Sequence, residues 1–267
     1  MKKLSLCYSS VKKNYNKLYI KLTELKNLID LEGLTEFVDI LVVVQYSTSN
    51  ASFNKNKINF VFSKKTGLSK SRNLVISESC SEYIWFLDDD SFPNISDLKS
   101  VLHTLESRKS DIYIGQVRCS DSKGHYKNYK RFRMGKLGLL RVNSIEIIIN
   151  KKFVVNSGIE FNENLGLGTT NPASEENCFL LDLYNAGAEI CYINKSIVSH
   201  PCKNVERQIR TKNNLNSIML TKGFLANKVG GLIGLILMLY WQFRFFLIYK
   251  KASVFLNIAK GYLKGVK

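Results

Sequence analysis

The sequence predicts an α/β fold in which helices flank a mainly parallel β-sheet. The first observation behind this prediction is an alternation of short apolar runs with segments of helical periodicity. Such an order is typical of strand–helix–strand units. The second is the run FVDILVVV (37–44), which is apolar and β-branched on both of its faces. A strand of that composition is expected to be buried between two helical layers, as in a parallel sheet.

Each element follows from its own pattern. Strands are predicted where apolar residues alternate or run together between turns, at 4–9, 37–44, 58–62, 82–87, 111–117 and 189–194. Helices are predicted where apolar residues recur every three or four positions, at 11–30, 69–80, 95–105 and 175–187. A serine, Ser69, is expected to cap the second of these helices.

Composition narrows the class of protein. The net charge of +17 indicates an anionic partner, a contribution to solubility, or both. Nucleic acid, an anionic membrane surface or phosphorylated small molecules would each be such a partner. The six cysteines form no C-x-x-C pair, which argues against a compact zinc module and suits unpaired thiols in a reducing cytosol. A zinc site built from distant cysteines stays open. The N-terminus lacks the apolar core of a signal peptide.

Three consecutive aspartates, Asp88, Asp89 and Asp90, follow the fourth predicted strand. Acidic residues often mark a turn, which is one interpretation. However, ligands of parallel sheets bind beyond the carboxyl ends of the strands, and the aspartates lie there. Asp88 and Asp90 stand at alternate positions and can share one Mg²⁺ or Mn²⁺ ion with a substrate diphosphate. Such a metal ion stabilises the diphosphate as a leaving group.

Two further segments carry candidate site residues. Lys70 and Arg72 lie in the first turn of a predicted helix, where cations are unfavourable, so an anionic ligand is expected nearby. A solvated basic helix start is the alternative. Glu175 and Glu176 also begin a helix, either as favourable first-turn charges or with one of them as a general base. His200 follows the last predicted strand and is either a metal ligand or a loop histidine.

Together, these segments resemble the family 2 glycosyltransferases of the GT-A fold. The resemblance rests on GLSKSRN (67–73), on WFLDDDSFP (85–93), and on the stretch 161–200 with its SEENCFLLDLYNAG segment. It covers roughly residues 3–202, and the order of the segments is more specific than any one of them. It implies an inverting transferase that uses a nucleotide-diphosphate sugar, with Mg²⁺ or Mn²⁺ on the diphosphate.

The resemblance also implies roles for the donor side of the site. Asp88 and Asp90 match the metal ligands of the family, with Asp89 between them. His200 matches a late histidine that approaches the metal or the diphosphate. Arg72 matches an arginine near the nucleotide.

On the acceptor side, Glu176 matches the general base of the family, and Glu175 matches the acidic residue before it. The sequence departs from the family pattern at the ends of the first two strands. Tyr8 and Ser9 replace part of a P-T-Y-N-like string, and Gln45 stands near the usual aspartate. These residues are still expected to contact the nucleotide, because glutamine can hydrogen-bond a uracil or ribose edge. A UDP-sugar is the expected donor.

The C-terminal part is predicted to associate with a membrane. Residues 229–243 carry no charge, and as a helix they would extend about 22 Å, less than the ~30 Å hydrocarbon core. An extension to 249 would span only if Arg244 were tolerated or snorkelled to the interface. An interfacial or re-entrant helix is therefore expected, with a full span or a buried core helix as alternatives. Tyr240, Trp241, Lys250 and Lys251 suit a membrane interface.

Basic residues surround this apolar segment and would contact an anionic leaflet: Lys203, Arg207, Arg210, Lys212, Lys222, Lys228, Lys260, Lys264 and Lys267. The expected organisation is a catalytic domain over 1–204 and a membrane-association segment over 205–267. The expected location is the cytoplasmic face of the cell membrane.

The expected function is sugar transfer to a glycan or lipid-linked acceptor in surface polysaccharide synthesis. A non-catalytic sugar-nucleotide binder and a metal-dependent nucleotidyltransferase are the alternatives. Nucleic-acid binding is suggested by charge alone. No recognisable nucleic-acid motif accompanies it, and the aspartates would repel phosphate without a metal ion.

Overall fold

The computed structural model describes residues 2–46, 51–122, 126–129, 135–202 and 213–265. The strands within these ranges are β1 (Leu4–Val11), β2 (Val38–Gln45), β3 (Ala51–Lys55), β4 (Ile58–Phe62), β5 (Tyr83–Asp88), β6 (Ile112–Cys119), β7 (Ile147–Asn150) and β8 (Ile190–His200). They form one eight-stranded sheet in the order β3-β4-β2-β1-β5-β7-β6-β8.

The sheet is parallel at its centre. The pairs β1–β2, β1–β5, β2–β4 and β6–β8 are parallel, whereas β3–β4, β5–β7 and β6–β7 are antiparallel. The carboxyl ends of β4, β2, β1 and β5 therefore meet at one edge of the sheet, where ligands of such folds bind.

The described helices are α1 (Tyr15–Leu31), α2 (Leu68–Glu78), α3 (Ile95–Ser107), α4 (Lys136–Leu139), α5 (Lys151–Ser157), α6 (Glu175–Asn185), α7 (Leu215–Val229), α8 (Gly231–Tyr249) and α9 (Ser253–Lys264). Apolar residues of α1 and α3 pack on one face of the sheet, and those of α2, α5, α6 and α7 pack on the other. The predicted α/β class with helices flanking the sheet is confirmed.

Successive side chains of β1 show how the strands serve both layers. Leu4, Leu6 and Tyr8 belong to the apolar core under α1 and α3, whereas Cys7 belongs to the core under α2 and α6. This alternation follows from the two-residue period of a strand. It also decides which residues at the end of β1 can reach the edge of the sheet on the α2 and α6 side.

The three C-terminal helices share the core of the sheet. Met219 and Leu225 of α7, Trp241 of α8 and Ile258 of α9 belong to the same apolar cluster as α6. Helices α7 and α9 are in backbone contact, because a Cβ atom added at Gly223 would lie 2.1 Å from the Ile258 carbonyl oxygen. Small residues allow this close approach, as they do between membrane helices.

Helix α8 has two different sides. The stripe formed by Gly234, Trp241 and Gln242 is buried, and Phe245 and Tyr249 continue it half-buried. The remaining surface is almost entirely exposed and apolar, and it includes Leu232, Ile233, Leu235, Ile236, Leu239, Phe243, Leu247 and Ile248. Within the described residues, α8 is the helix whose length and composition would suffice to cross a membrane. Only 11% of that stretch is buried, which is unlike the core helix of a soluble protein.

The predicted strands and helices are confirmed within a few residues, with exceptions. Ser69 does not cap α2, since Gly67 occupies that position and the Ser69 hydroxyl donates to the Leu165 carbonyl instead. His200 ends β8 and does not lie in a loop, because β8 continues six residues beyond the predicted end at 194. Strands β3 and β7 were not predicted.

The expectation of six unpaired cysteines is wrong for one pair. Cys119, the last residue of β6, is disulfide-bonded to Cys202, two residues beyond the end of β8. The two strands run parallel, so their ends bring together cysteines that are 83 residues apart in the sequence. Cys7, Cys80, Cys178 and Cys191 are free.

Candidate active site

A cavity of about 730 Å³ lies at the carboxyl ends of β1, β2 and β5. The predicted site residues that line it are Ser9, Gln45, Arg72, Asp88, Asp90, Glu175, Glu176 and His200. Residues from distant parts of the chain thus converge on one space, as expected at the open edge of a parallel sheet.

The first group on the cavity wall is a cluster of three potential metal ligands. One ligand atom each from Asp88, Asp90 and His200 lies within 4.8 Å of the others. The His200 Nε2 atom is 3.2 Å from the Asp90 Oδ1 atom, and the Nδ1 atom lies 2.6 Å from the Pro201 carbonyl oxygen. That carbonyl accepts a hydrogen bond from Nδ1–H, which leaves Nε2 directed at the carboxylates.

The electrostatics of this cluster suit a cation. Desolvation in the cavity raises the pKa of Asp88, and the nearby Arg72 offsets this only in part. Desolvation alone would also raise the pKa of Asp90, but the hydrogen bond with His200 outweighs it and lowers the pKa. Likewise, burial disfavours the charged imidazole, yet Asp90 raises the pKa of His200. A divalent cation would relieve the mutual repulsion of these carboxylates.

Asp89 has a different environment from its two neighbours. Its Oδ2 atom accepts hydrogen bonds from the Ser10 hydroxyl at 2.9 Å and from the Asn14 side-chain amide at 2.8 Å. Asp89 therefore ties the turn after β5 to the end of β1. This contact explains how three adjacent carboxylates avoid one another: the middle one is held by β1, and the outer two face His200.

Arg72 connects the aspartates to the acidic pair at the start of α6. Arg72 is 2% exposed, and its guanidinium donates from Nη1 to the Glu175 Oε1 atom at 3.0 Å. The Nη2 atom is 3.9 Å from the Asp88 Oδ1 atom. Arg72 thus compensates two carboxylates, which accounts for a cation near a helix N-terminus without requiring a bound anion.

Glu176 lies beside this ion pair, also on the cavity wall. Desolvation and the adjacent negative charge of Glu175 raise the pKa of the Glu176 carboxyl, and the more distant Arg72 counteracts this only in part. The two glutamates therefore differ in kind. Glu175 is fixed and neutralised by Arg72, whereas Glu176 is a carboxyl group of increased basicity.

The loop before α6 packs closely against the start of this helix, where the acidic pair lies. Gly166 has a φ of +96°, and a Cβ atom there would lie 3.1 Å from both the Glu175 Cδ and the Ser69 Oγ atoms. Ser174, at the N-cap of α6, also has a left-handed backbone, and its hydroxyl approaches the Thr221 hydroxyl of α7 at 3.5 Å. The start of α6 is therefore held from α2 on one side and from α7 on the other.

Two predicted site residues do not line the cavity. The side chain of Tyr8 points to the α1 and α3 layer, where it is fully buried and stacks on Phe92, because it alternates with Ser9 along β1. Lys70 lies on α2 beside Gly67 and outside the cavity wall. Gln45 lines the cavity, but its side-chain oxygen accepts the Gly67 backbone N–H at 2.8 Å, so this oxygen supports the loop before α2.

Sequence reasoning missed one wall of the cavity. It consists of Ile218, Met219 and Lys222 of α7 and Phe245 and Tyr249 of α8. The sequence offers no local motif for these residues, which lie inside apolar helical segments. Only the half-buried stripe along α8 distinguishes Phe245 and Tyr249 from their exposed neighbours.

With this geometry in place, comparison with known proteins is informative. The family model described as glycosyl transferase family 2 matches residues 39–162, which include β2, α2 and the three aspartates. Residues 39–162 belong to glycosyl transferase family 2. A search of curated proteins gave no match.

Solved structures of other proteins share the fold of nearly the whole chain. TarS 1–349 from S. aureus is 14% identical with a TM-score of 0.64, and the match covers 98% of this chain and 80% of that chain. The same protein in complex with UDP-GlcNAc is 16% identical with a TM-score of 0.65, covering 99% and 82%. The match spans 49% of a longer TarS chain.

Glucosyl-3-phosphoglycerate synthase from Mycobacterium tuberculosis also matches, in a structure that contains Mn²⁺, UDP and glucosyl-3-phosphoglycerate. It is 10% identical with a TM-score of 0.52, and the match covers 82% of this chain and 79% of that chain. Similarity at these identities establishes the GT-A fold and confirms the resemblance noted in the sequence.

Proposed function

We propose that this protein is a glycosyltransferase that moves a sugar from a nucleotide-diphosphate sugar to an acceptor hydroxyl, with inversion and with the help of Mg²⁺ or Mn²⁺. One observation carries the proposal. A single cavity has metal-ligand carboxylates on one wall and the Glu176 carboxyl group on another. Arg72 lies between Asp88 and Glu175, the residue next to Glu176.

The residues present fit a divalent cation. Asp88, Asp90 and His200 offer two carboxylate oxygens and one imidazole nitrogen, a donor set that suits Mn²⁺ and also Mg²⁺ when phosphate oxygens and water complete the shell. When bound, the cation would neutralise the diphosphate and stabilise it as a leaving group. The Nδ1 contact with Pro201 fixes the histidine ring for this role.

A UDP-sugar is the proposed donor. The structures of similar fold include one with UDP-GlcNAc and one with UDP and Mn²⁺. In this chain, Ser9 and Gln45 line the end of the cavity formed by β1 and β2. Their small polar groups suit the nucleoside, and the cluster at the end of β5 suits the diphosphate.

Glu176 is the proposed general base. Single displacement with inversion requires a base that removes the proton of the acceptor hydroxyl as it attacks. Glu175 is poorly suited, because its charge is engaged by Arg72 at 3.0 Å. Glu176 has a raised pKa, which makes its ionised form a stronger base than an ordinary carboxylate. Glu175 and Arg72 would then position the start of α6, and the negative charge of Glu175 would sustain the basicity of Glu176.

A thermal-shift screen of nucleotide sugars with and without Mn²⁺ tests the donor. A bound donor stabilises the folded enzyme by mass action, so the true donor should raise the melting temperature only in the presence of the metal ion. Asp90→Asn is the matched control and should lose this dependence. A donor that binds but is never transferred or hydrolysed would instead favour a non-catalytic sugar-nucleotide binder.

We further propose that α7, α8 and α9 hold the enzyme on the cytoplasmic face of an anionic membrane. The stripe of α8 that packs on the domain extends from Gly234 to Tyr249, so the helix lies along the domain for most of its length. A helix packed in this way inserts its exposed apolar side in the plane of the interface instead of crossing. The sequence after Glu206 contains no acidic residue, which complements an anionic leaflet.

Of the predicted interface residues, Tyr240, Lys250 and Lys251 are exposed, whereas Trp241 is buried beneath Lys222. Lys203, Arg207, Arg210, Lys212 and Lys267 lie outside the described residues. The proposed division at residue 204 therefore separates the catalytic part from the membrane-association part by function. Both parts contribute residues to one apolar core.

Sedimentation with phosphatidylglycerol vesicles tests the membrane proposal. The double variant Phe243→Gln/Leu247→Gln removes two exposed apolar side chains, each contributing about 1.5 kcal/mol or more when inserted. Vesicle partitioning should therefore fall by about tenfold or more. Leu31→Gln, at an 83% exposed position on α1, is the matched control and should partition normally. Equal partitioning of all three proteins would refute the assignment.

A further inference from the structure

The cavity wall formed by α7 and α8 points to the kind of acceptor that the enzyme uses. Met219 and Lys222 of α7 and Phe245 and Tyr249 of α8 all line the same cavity as Glu176. The wall is thus apolar and aromatic, with one cation. It faces a space whose other walls carry the Asp88, Asp90 and Glu176 carboxylates.

This wall lies on the side of the proposed base. Ser174, immediately before Glu175 and Glu176, contacts Thr221 on α7, and Lys222 is the next residue. The metal-ligand cluster lies instead at the ends of β5 and β8. A molecule bound against α7 and α8 would therefore approach the sugar from the side of Glu176, which is where an acceptor hydroxyl is needed.

The same helix also carries the exposed apolar surface. Phe243 is 63% exposed and Leu247 is 58% exposed, whereas Phe245 and Tyr249 face the cavity. Within two turns, α8 therefore passes from the surface proposed to enter the membrane to the wall of the catalytic cavity. An acyl or isoprenyl chain in the leaflet would reach this wall without leaving an apolar environment.

We propose that the acceptor is an anionic amphiphile, a membrane lipid with a phosphate-bearing head group, held by Phe245 and Tyr249 along its apolar part and by Lys222 at its phosphate. This inference rests on the proposed function and narrows it to one class of acceptor. A fully water-soluble glycan would gain nothing from the continuity between the cavity and the exposed side of α8. The ammonium group of Lys222, which lies over the Trp241 ring at 5.3 Å, supplies a positive charge at the boundary.

Binding of radiolabelled farnesyl phosphate to the full chain on neutral phosphatidylcholine vesicles tests the proposal without any donor. Saturable binding above that of protein-free vesicles is expected. Loss of a hydrogen bond to a charged group should make binding to Lys222→Met about tenfold weaker or more. Farnesol should show a similar loss with the wild-type chain, and inorganic phosphate at equal concentration should not compete.

Two aromatic variants distinguish the cavity wall from the membrane surface. Phe245→Ala should weaken farnesyl phosphate binding per vesicle-bound enzyme, whereas Phe243→Ala, two residues away, should reduce only the amount of enzyme on the vesicles. Titration with UDP and Mn²⁺ should be unchanged in both variants, which verifies that the fold and the donor side are intact.

Absence of saturable binding, or equal effects of the two phenylalanine variants, would overturn the proposal. So would farnesol binding as tightly as its phosphate. Failure of the proposed function would look different, because no nucleotide sugar would then be bound or transferred while farnesyl phosphate still bound through Lys222 and Phe245.

Discussion

The edge of the sheet and the three C-terminal helices differ in the charges that they carry and in how those charges are paired. At the edge of the sheet, several buried charges are held in ion pairs, as in those of Arg72 with Glu175 and of His200 with Asp90. In α7, α8 and α9, there is no carboxylate, and helices approach through glycine. Ion pairing at the edge of the sheet holds the reacting groups at fixed positions, because paired buried charges are costly to separate. Helices α7, α8 and α9 instead present an apolar surface with cationic residues, and the exposure of such an apolar surface to water is unfavourable.

The two regions nevertheless meet in one cavity, and this teaches what each contributes. The strand ends supply the groups that bind the donor and move a proton. The helices supply a wall and, on our proposal, the route by which the acceptor arrives. Substitutions in the two regions should therefore have separable effects, on chemistry in one and on acceptor access in the other.

The largest effect is expected for Glu176→Gln, which removes the proposed base and keeps the shape of the side chain. Loss of a general base typically reduces turnover by about 10²–10⁴-fold. Donor affinity should be preserved, since Glu176 is not part of the metal-ligand cluster. Steady-state kinetics with the identified donor would measure both quantities. Near-normal turnover would move the role elsewhere, first to Glu175.

A smaller effect is expected for Gly223→Ala, where the added methyl would overlap the backbone of α9. Overpacking of this kind costs about 1–3 kcal/mol. Urea unfolding should show that loss of stability, and sugar transfer should fall more than UDP affinity because the α7 wall is displaced. Lys260→Ala, at an exposed position on α9, is the control. Equal losses of transfer and of UDP affinity would contradict the separation of the two regions.

The pH dependence of turnover should reflect the titration of Glu176 and should change when Glu175 is replaced. The base acts when ionised, and its pKa is raised, so turnover should increase as the pH rises through that pKa and be lost as the pH falls below it. Glu175→Gln removes the neighbouring negative charge and leaves Arg72 closer to neutralising Glu176, so the acid limb of the pH–rate profile should move to lower pH. A limb that stays in place would indicate another titrating group.

Much of the sheet region could be predicted from the sequence because its signals are local. The alternation of apolar runs with helical segments predicted the central strands. The position of Asp88 and Asp90 after a buried strand predicted the edge of the sheet at which they lie. The pairing of Cys119 with Cys202 and the extension of β8 to His200 were missed, since both depend on the parallel register of two distant strands.

The helical wall could not be predicted for a related reason. The sequence of an apolar helix shows the same pattern whether the helix contacts lipids, a protein core or a substrate. Trp241 was expected at a membrane interface and is buried, whereas Phe245, given no role, lines the cavity. Which side of α8 faces which environment is decided by its packing on α7 and α9, through contacts such as that of Gly234 with the Ala226 backbone.

Titration of UDP with and without Mn²⁺ tests the central claim most directly, namely that the two acidic groups of the cavity have separate roles. Isothermal titration calorimetry of the wild type, Asp90→Asn and Glu176→Gln would measure the gain in UDP affinity that the metal ion provides. We predict that Asp90→Asn loses this gain while Glu176→Gln retains it in full. An unchanged gain in Asp90→Asn, or an equal loss in both variants, would contradict the account.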